Sequence, residues 1–277
     1  MHEAYEIARY GRVERTIARG GQLLAVTEEG AGPAVVGLHG LTATRRYVLM
    51  GSRALERSGR QVVLYDARGH GDSAPAGDGA YTYDAMADDL EAVLTGAGIG
   101  RAVLVGASMG AHTAVRFALE HPDRISALAL LTPAYDPDAF PSRLERWDAL
   151  ATALRERGID GFVEAYGIDG VPPAWRETVE RVIRQRLAEH RHPRAVADAL
   201  AAVPRSRPFA AFGDLVAIRV PVLVVGSRDE SDPEHPLALA RQYAEAIPRA
   251  RLVVEDEGRS PIAWQGGQLS RLLAELG

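Results

Sequence analysis

Apolar residues follow two rhythms along this chain. Short runs of Val, Leu, Ile and Ala recur at 34–38, 61–66, 102–107, 126–132, 220–227 and 251–255. Between them lie stretches with helical spacing at 83–97, 109–120, 236–247 and 268–276. The middle runs are almost continuous in hydrophobicity instead of alternating. A strand carries that pattern when both of its faces are covered, as in a parallel sheet flanked by helices. Residues 13–18 and 22–27 flank Gly20-Gly21 and predict an opening hairpin. The chain therefore predicts an α/β fold, with a mostly parallel central sheet and helices on both faces.

The rhythm breaks between Pro133 and Gly213, where the pattern is helical throughout. Ser142-Arg-Leu-Glu145 spells a capping box for a helix to Arg157; Pro172-Pro173 opens another through Glu189, and His192-Pro193 starts a third. A parallel crossover needs one helix, and this block supplies more. The expectation is a helical cap (lid) at 133–213, set over the C-terminal edge of a core formed by 1–132 and 214–277. No internal repeat or low-complexity segment interrupts this plan.

Composition narrows the function classes. With 47% hydrophobic and 25% charged residues in 277, the chain has a globular profile rather than a disordered one. No apolar run approaches the roughly 18 residues a membrane span needs. A formal charge of −5 without a basic stripe argues against nucleic acid as a partner. All 32 basic residues are Arg, and there is no Cys. Disulfides, a thiol nucleophile and thiolate metal sites are thereby excluded. The charged N-terminal stretch lacks the apolar segment of a signal peptide, so a cytoplasmic location is expected.

The chemistry concentrates in a few turns. Gly106-Ala-Ser108-Met109-Gly110 is G-x-S-x-G between an apolar strand and a helix, the context in which a sharp turn projects a serine hydroxyl. The helix start behind Ser108 offers unpaired N–H groups and a positive dipole end. Val35-Val-Gly-Leu38-His39-Gly40-Leu41 is a buried strand ending in His-Gly, and Gly40 leaves the Leu41 amide free to turn into a site. Together the Leu41 and Met109 amides would form an oxyanion hole, each donor being worth about 3 kcal/mol of barrier. In Asp66-Ala-Arg68-Gly-His70-Gly-Asp72-Ser73, the acid and the arginine suit bracing a loop better than reacting.

His-Gly, D-x-R-G-x-G-x-S and G-x-S-x-G, in that order after successive strands, resemble the α/β-hydrolase superfamily. The resemblance resumes after the cap with Val220-Pro-Val-Leu-Val-Val-Gly226-Ser-Arg-Asp229, and it implies that Asp229 is the acid of a Ser-His-Asp system. It also implies a histidine after the last strand. There the chain reads Asp256-Glu-Gly-Arg259-Ser-Pro261. A guanidinium cannot accept a serine proton at neutral pH.

Three readings of that departure stand open. In one, His235 of Asp229-Glu-Ser-Asp232-Pro-Glu-His235-Pro236 serves as the base; counting back from the end of the following helix then selects Asp232 as the acid. In another, Arg259 anchors a carboxylate substrate of a cofactor-free lyase or isomerase, or fills the imidazole slot beside Asp229. In the third the protein is a catalytically silent small-molecule binder. Of the other histidines, His112 reads as a core residue, His39 and His70 as loop braces, and His190 and His192 do not share a helical face as a metal pair would. No dinucleotide loop, Walker lysine or H-E-x-x-H is present, so no metal and no organic cofactor is expected. The expected activity is cleavage of an ester or related acyl bond of a small molecule through Ser108.

Overall fold

Strands with both faces buried come from the continuous apolar runs, and the structure shows how. The computed structural model describes residues 6–7, 11–77, 79–141, 143–229, 232 and 234–276. In chain order the elements are β1 (Glu6–Ile7), β2 (Val13–Arg19), β3 (Gln22–Glu29), β4 (Ala34–Leu38), α1 (Ala54–Arg57), β5 (Gln61–Tyr65), α2 (Tyr83–Gly96), β6 (Ala102–Ala107), α3 (Met109–Glu120) and β7 (Ile125–Leu131). There follow α4 (Leu144–Tyr166), α5 (Arg176–Ala188), α6 (Pro193–Ala202), β8 (Val222–Val225), α7 (Leu237–Ala246), β9 (Ala250–Val253) and α8 (Gly266–Ala274).

All the strands join one sheet in the order β1-β2-β3-β5-β4-β6-β7-β8-β9. The pairs β1–β2, β2–β3 and β3–β5 are antiparallel, and every pair from β5–β4 onward is parallel. Strand β6 shows why its run is continuous. Leu104 packs on one face with Leu90 of α2 and Phe117 of α3, whereas Val103 and Val105 pack on the other with Leu269 and Leu273 of α8. Both faces are dry, so neither set of alternate positions is free to be polar. The expected α/β architecture is observed. The short strand β1 and the single-turn α1 carry too little pattern to be expected from the sequence.

Between β7 and β8 the chain builds a helical insertion, α4 to α6, with an apolar centre of its own: Leu150, Leu154, Phe162, Ile183, Val196 and Leu200. The helix expected to stop at Arg157 instead bends at Gly158 (φ 67°, ψ −153°) and resumes to Tyr166. Its expected capping serine, Ser142, lies outside the described residues. After Pro172-Pro173 the chain turns before the helix begins at Arg176. Among the described residues no helix is long and apolar enough to cross a membrane.

The C-terminal ends of the parallel strands carry the loops that matter, the usual place for a site in an open α/β sheet. The loop after β5 is fixed by buried charge. Asp66, fully buried, accepts N–H bonds from Arg45 at 2.7 Å and Asp72 at 3.0 Å and pairs with the Arg45 guanidinium. Arg68 grips Asp89 through Nε at 2.7 Å and Nη2 at 2.8 Å. Both residues brace, as their place in the motif suggests. Removing one partner of a buried pair strands the other, which costs about 3–5 kcal/mol. Arg68→Met is thus expected to lower unfolding free energy in urea by that amount. Arg155→Met, at the exposed pair with Asp198, should cost less than about 1 kcal/mol.

Candidate active site

Ser108 sits at the junction of β6 and α3 with φ 49° and ψ −113°, a left-handed conformation for a residue with a side chain. Such a backbone costs about 1–3 kcal/mol and persists only where its surroundings hold it. The two flanking glycines make it feasible through space, not through φ. A Cβ on Gly106 would stand 2.3 Å from Gly110 O, and one on Gly110 would stand 2.2 Å from Leu38 O. Each glycine lets a backbone pass where a methyl group could not. The Ser108 N–H is tied to Leu131 O at 3.0 Å, which locks the turn to β7.

The hydroxyl so presented meets an imidazole. His235 Nε2 lies 2.9 Å from Ser108 Oγ, and its Nδ1 lies 2.8 and 2.9 Å from the two oxygens of Asp232. Both partners come from the loop between β8 and α7, where successive turns (Asp232 N–H to Asp229 O at 3.2 Å, His235 N–H to Asp232 O at 3.3 Å) put the two side chains on one side. Glu230, Ser231 and Pro233 of this loop lie outside the described residues. Burial pushes the Asp232 carboxyl up, but the imidazole of His235 and the nearby Arg186 guanidinium outweigh it and hold the group below the usual carboxylate range. An ionised Asp232 keeps the proton of His235 on Nδ1, which leaves Nε2 able to accept from Ser108.

Two sequence expectations change here. Asp229, the acid the family resemblance implies, has its N–H bonded to Ser227 Oγ at 3.0 Å, and the carboxylate that meets the imidazole is that of Asp232. Arg259 stands exposed in the turn that closes with its N–H on Asp256 O at 3.0 Å. The imidazole slot is filled from the other loop.

Met109 follows Ser108 directly, and Leu41 follows Gly40 in the His-Gly loop. A Cβ on Gly40 would be 3.4 Å from Ser108 Cβ, so the His-Gly loop runs against the serine. Among the described residues neither the Leu41 N–H nor the Met109 N–H has a hydrogen-bond partner. The loop is shaped by neutral imidazoles. His39 Nε2 accepts the Ala67 N–H at 2.9 Å, which places its proton on Nδ1, donated to Gly40 O at 2.8 Å. His190, at the end of α5, accepts the Gly71 N–H on Nδ1 at 2.8 Å and donates Nε2–H to Thr42 O at 3.0 Å. Thr42 has a φ of 67°, so the residue after Leu41 is held in a strained turn by a side chain from the insertion. His112 is a satisfied core residue, bonded to the Tyr83 hydroxyl and to the Ala134 and Tyr135 N–H groups.

Sequence reasoning misses how the insertion clamps both loops. Glu234, next to His235, is held by Arg143 at 2.9 Å and Arg146 at 3.1 Å, both at the start of α4. Glu189, next to His190, accepts from Thr44 at 2.8 Å and Tyr47 at 3.3 Å. Nothing in the spacing of these charges separates them from a solvated helix face.

With this geometry in hand, comparison with known proteins is decisive for the family. A family described as "alpha/beta hydrolase fold" matches residues 33–165. A protein of Caulobacter sp. (strain K31) named "Putative carbamate hydrolase RutD" is 31% identical over 199 residues, covering 72% of this chain and 73% of that one. The chain belongs to the α/β-hydrolase superfamily. Among solved members, the enol-lactonase of Burkholderia xenovorans LB400 superposes with a TM-score of 0.75 at 25% identity, over 94% of this chain and 98% of that one. A thermophilic esterase of Thermogutta terrifontis gives 0.75 at 27% identity, over 95% and 97%. On this fold Ser108 Oγ, the His235 imidazole and the Asp232 carboxylate form one hydrogen-bonded line.

Burial also sets how the hydrolase responds to acid. It lowers His39 to about 4 and His112 to about 3, and moves His70 and His190 down as well. The unfolded chain, with histidines near 6.5, then binds more protons below that pH than the folded one. Stability is complete above about pH 6.5 and is lost as pH falls toward 4, by up to about 1.4 kcal/mol per pH unit for each buried imidazole. Thermal melting across this range is expected to show a steep fall in Tm. His112→Gln should make the fall shallower.

Proposed function

We propose that the protein is a serine hydrolase cleaving an ester or related acyl bond of a small molecule, with Ser108 as nucleophile, His235 as base and Asp232 as acid. The observation that carries this reading is the 2.9 Å contact between His235 Nε2 and Ser108 Oγ. Oγ attacks the substrate carbonyl while its proton passes to Nε2. The oxygen of the tetrahedral intermediate becomes negative and takes the Leu41 and Met109 N–H groups, which no other acceptor occupies among the described residues. His235 then gives its proton to the leaving group. Water, deprotonated by the same imidazole, releases the acyl group from Ser108 and restores the enzyme. Relatives named for carbamate, lactone and ester chemistry share a carbonyl bearing a heteroatom leaving group, which this sequence of steps handles.

Residues 133–213 act in this reading as a cap over the strand ends, and the clamps at Glu189 and Glu234 support it. No observation favours Arg259 as an anchor, given its exposure in the turn after β9.

A fluorophosphonate probe is expected to label the wild type and not Ser108→Ala; an unlabelled, folded wild type would sink the hydrolase. With p-nitrophenyl acetate, Ser108→Ala and His235→Ala should each lower kcat by on the order of 10⁶. Asp232→Asn should lower it by about 10⁴ through loss of the correct tautomer. The two candidate acids separate in the same assay, because Asp229→Asn should fall short of a tenfold loss. Equal losses at both positions would count against Asp232.

A further inference from the structure

Among the described residues, one guanidinium near the site has no acceptor. Arg186 projects from α5, one turn before His190, whose ring is bonded to Thr42 O beside the Leu41 amide. Its Cζ lies 5.5 Å from the Tyr47 ring centroid and 5.2 Å from that of Trp264. The Nε–H is buried without a partner, and among the described residues the side chain forms no hydrogen bond and no ion pair. The buried arginines of the adjoining loops behave differently: Arg45 has Asp66 and Arg68 has Asp89. Burial works against the Arg186 charge, and only the fields of Tyr47, Asp232 and Tyr166 oppose it.

Asp232 is not the missing acceptor. Both of its oxygens are engaged by His235, and Arg186 acts on it across space, without an ion pair. The guanidinium thus lies between the rings of Tyr47, on the segment after the His-Gly loop, and Trp264, on the segment after β9, and the charge of Asp232 acts on it. Stacking on aromatic rings uses the face of a guanidinium and leaves its N–H edge for hydrogen bonds. An edge of parallel N–H groups matches the two oxygens of a planar carboxylate.

We propose that Arg186 binds a carboxylate carried by the substrate, so that the enzyme takes small acyl compounds bearing a free acid group. This rests on the serine-hydrolase reading above and adds the substrate class to it. The ring contacts hold the fork in place before binding, and the acid group of the substrate supplies the acceptor missing among the described residues.

Two p-nitrophenyl esters of equal chain length separate the possibilities: the mono-ester of glutaric acid, which keeps one carboxylate, and the neutral valerate. The wild type is expected to prefer the glutarate ester in kcat/KM. Arg186→Met should lower the glutarate-to-valerate ratio on the order of 100-fold, whatever happens to the absolute rates, since hydrogen bonds to a charged group are lost. Arg186→Lys, which keeps the charge but not the fork, should lie between and serves if Arg186→Met does not fold. A wild type that hydrolyses both esters without preference, or a ratio unchanged in Arg186→Met, overturns the anchor and leaves the hydrolase standing. If the wild type hydrolyses neither, the hydrolase fails, and calorimetry with glutarate itself decides the anchor: binding lost in Arg186→Met supports it, whereas no binding or unchanged binding overturns it.

Discussion

A single contact, from His235 Nε2 to Ser108 Oγ, joins the two halves of the site. The serine belongs to the sheet, in a left-handed backbone conformation for which Gly110 makes room against Leu38 O. The imidazole belongs to a loop between β8 and α7 that the sheet alone does not hold. It is held by Asp232, which meets its Nδ1, and by Glu234, which ties the loop to α4 through two arginines. Each of those surface pairs is weak in free energy, at most about 1 kcal/mol. Their effect is positional: a hydrogen-bond contact tolerates little displacement before proton transfer fails.

The insertion fastens both loops of the site. One end of it grips the loop of His235 through Glu234, and the other grips the His-Gly loop through Glu189 and His190. A chain of buried imidazoles continues inward from there, with ring centroids 5.1 Å apart for His39 and His70 and 5.5 Å for His70 and His190. Low dielectric favours neutral imidazoles, and a neutral imidazole both donates and accepts. The loop that presents the Leu41 amide is shaped by that dual capacity. Arg186, on the same helix, is half-buried, its Nε–H has no acceptor among the described residues, and its charge acts on the carboxylate of Asp232.

Legibility in the sequence followed the locality of each constraint. The β6–Ser108–α3 turn was readable because glycine spacing, an apolar strand and a helix start sit within a dozen residues. The same holds for the His-Gly loop and for the bracing role of Asp66 and Arg68. Counting forward from β8 selects Asp229 and counting back from α7 selects Asp232; the sequence leaves both open, and the backbone turns of the loop carry Asp232 to the imidazole. Arg259 looked decisive because the resemblance puts a histidine there; the structure leaves it in solvent.

The periodicity of the chain determined the α/β architecture, the place of the helical insertion and the serine turn, because each depends on neighbours in sequence. Tertiary structure alone decided which histidine reaches the serine, which carboxylate orients it, and which arginine lies buried beside them. Those choices are distances between segments: Ser108 and His235 lie far apart in the chain, and their meeting depends on where the β8–α7 loop is pinned. Hydrophobic pattern reports which face of an element is buried. It carries no term for where a polar side chain on a loop will come to rest.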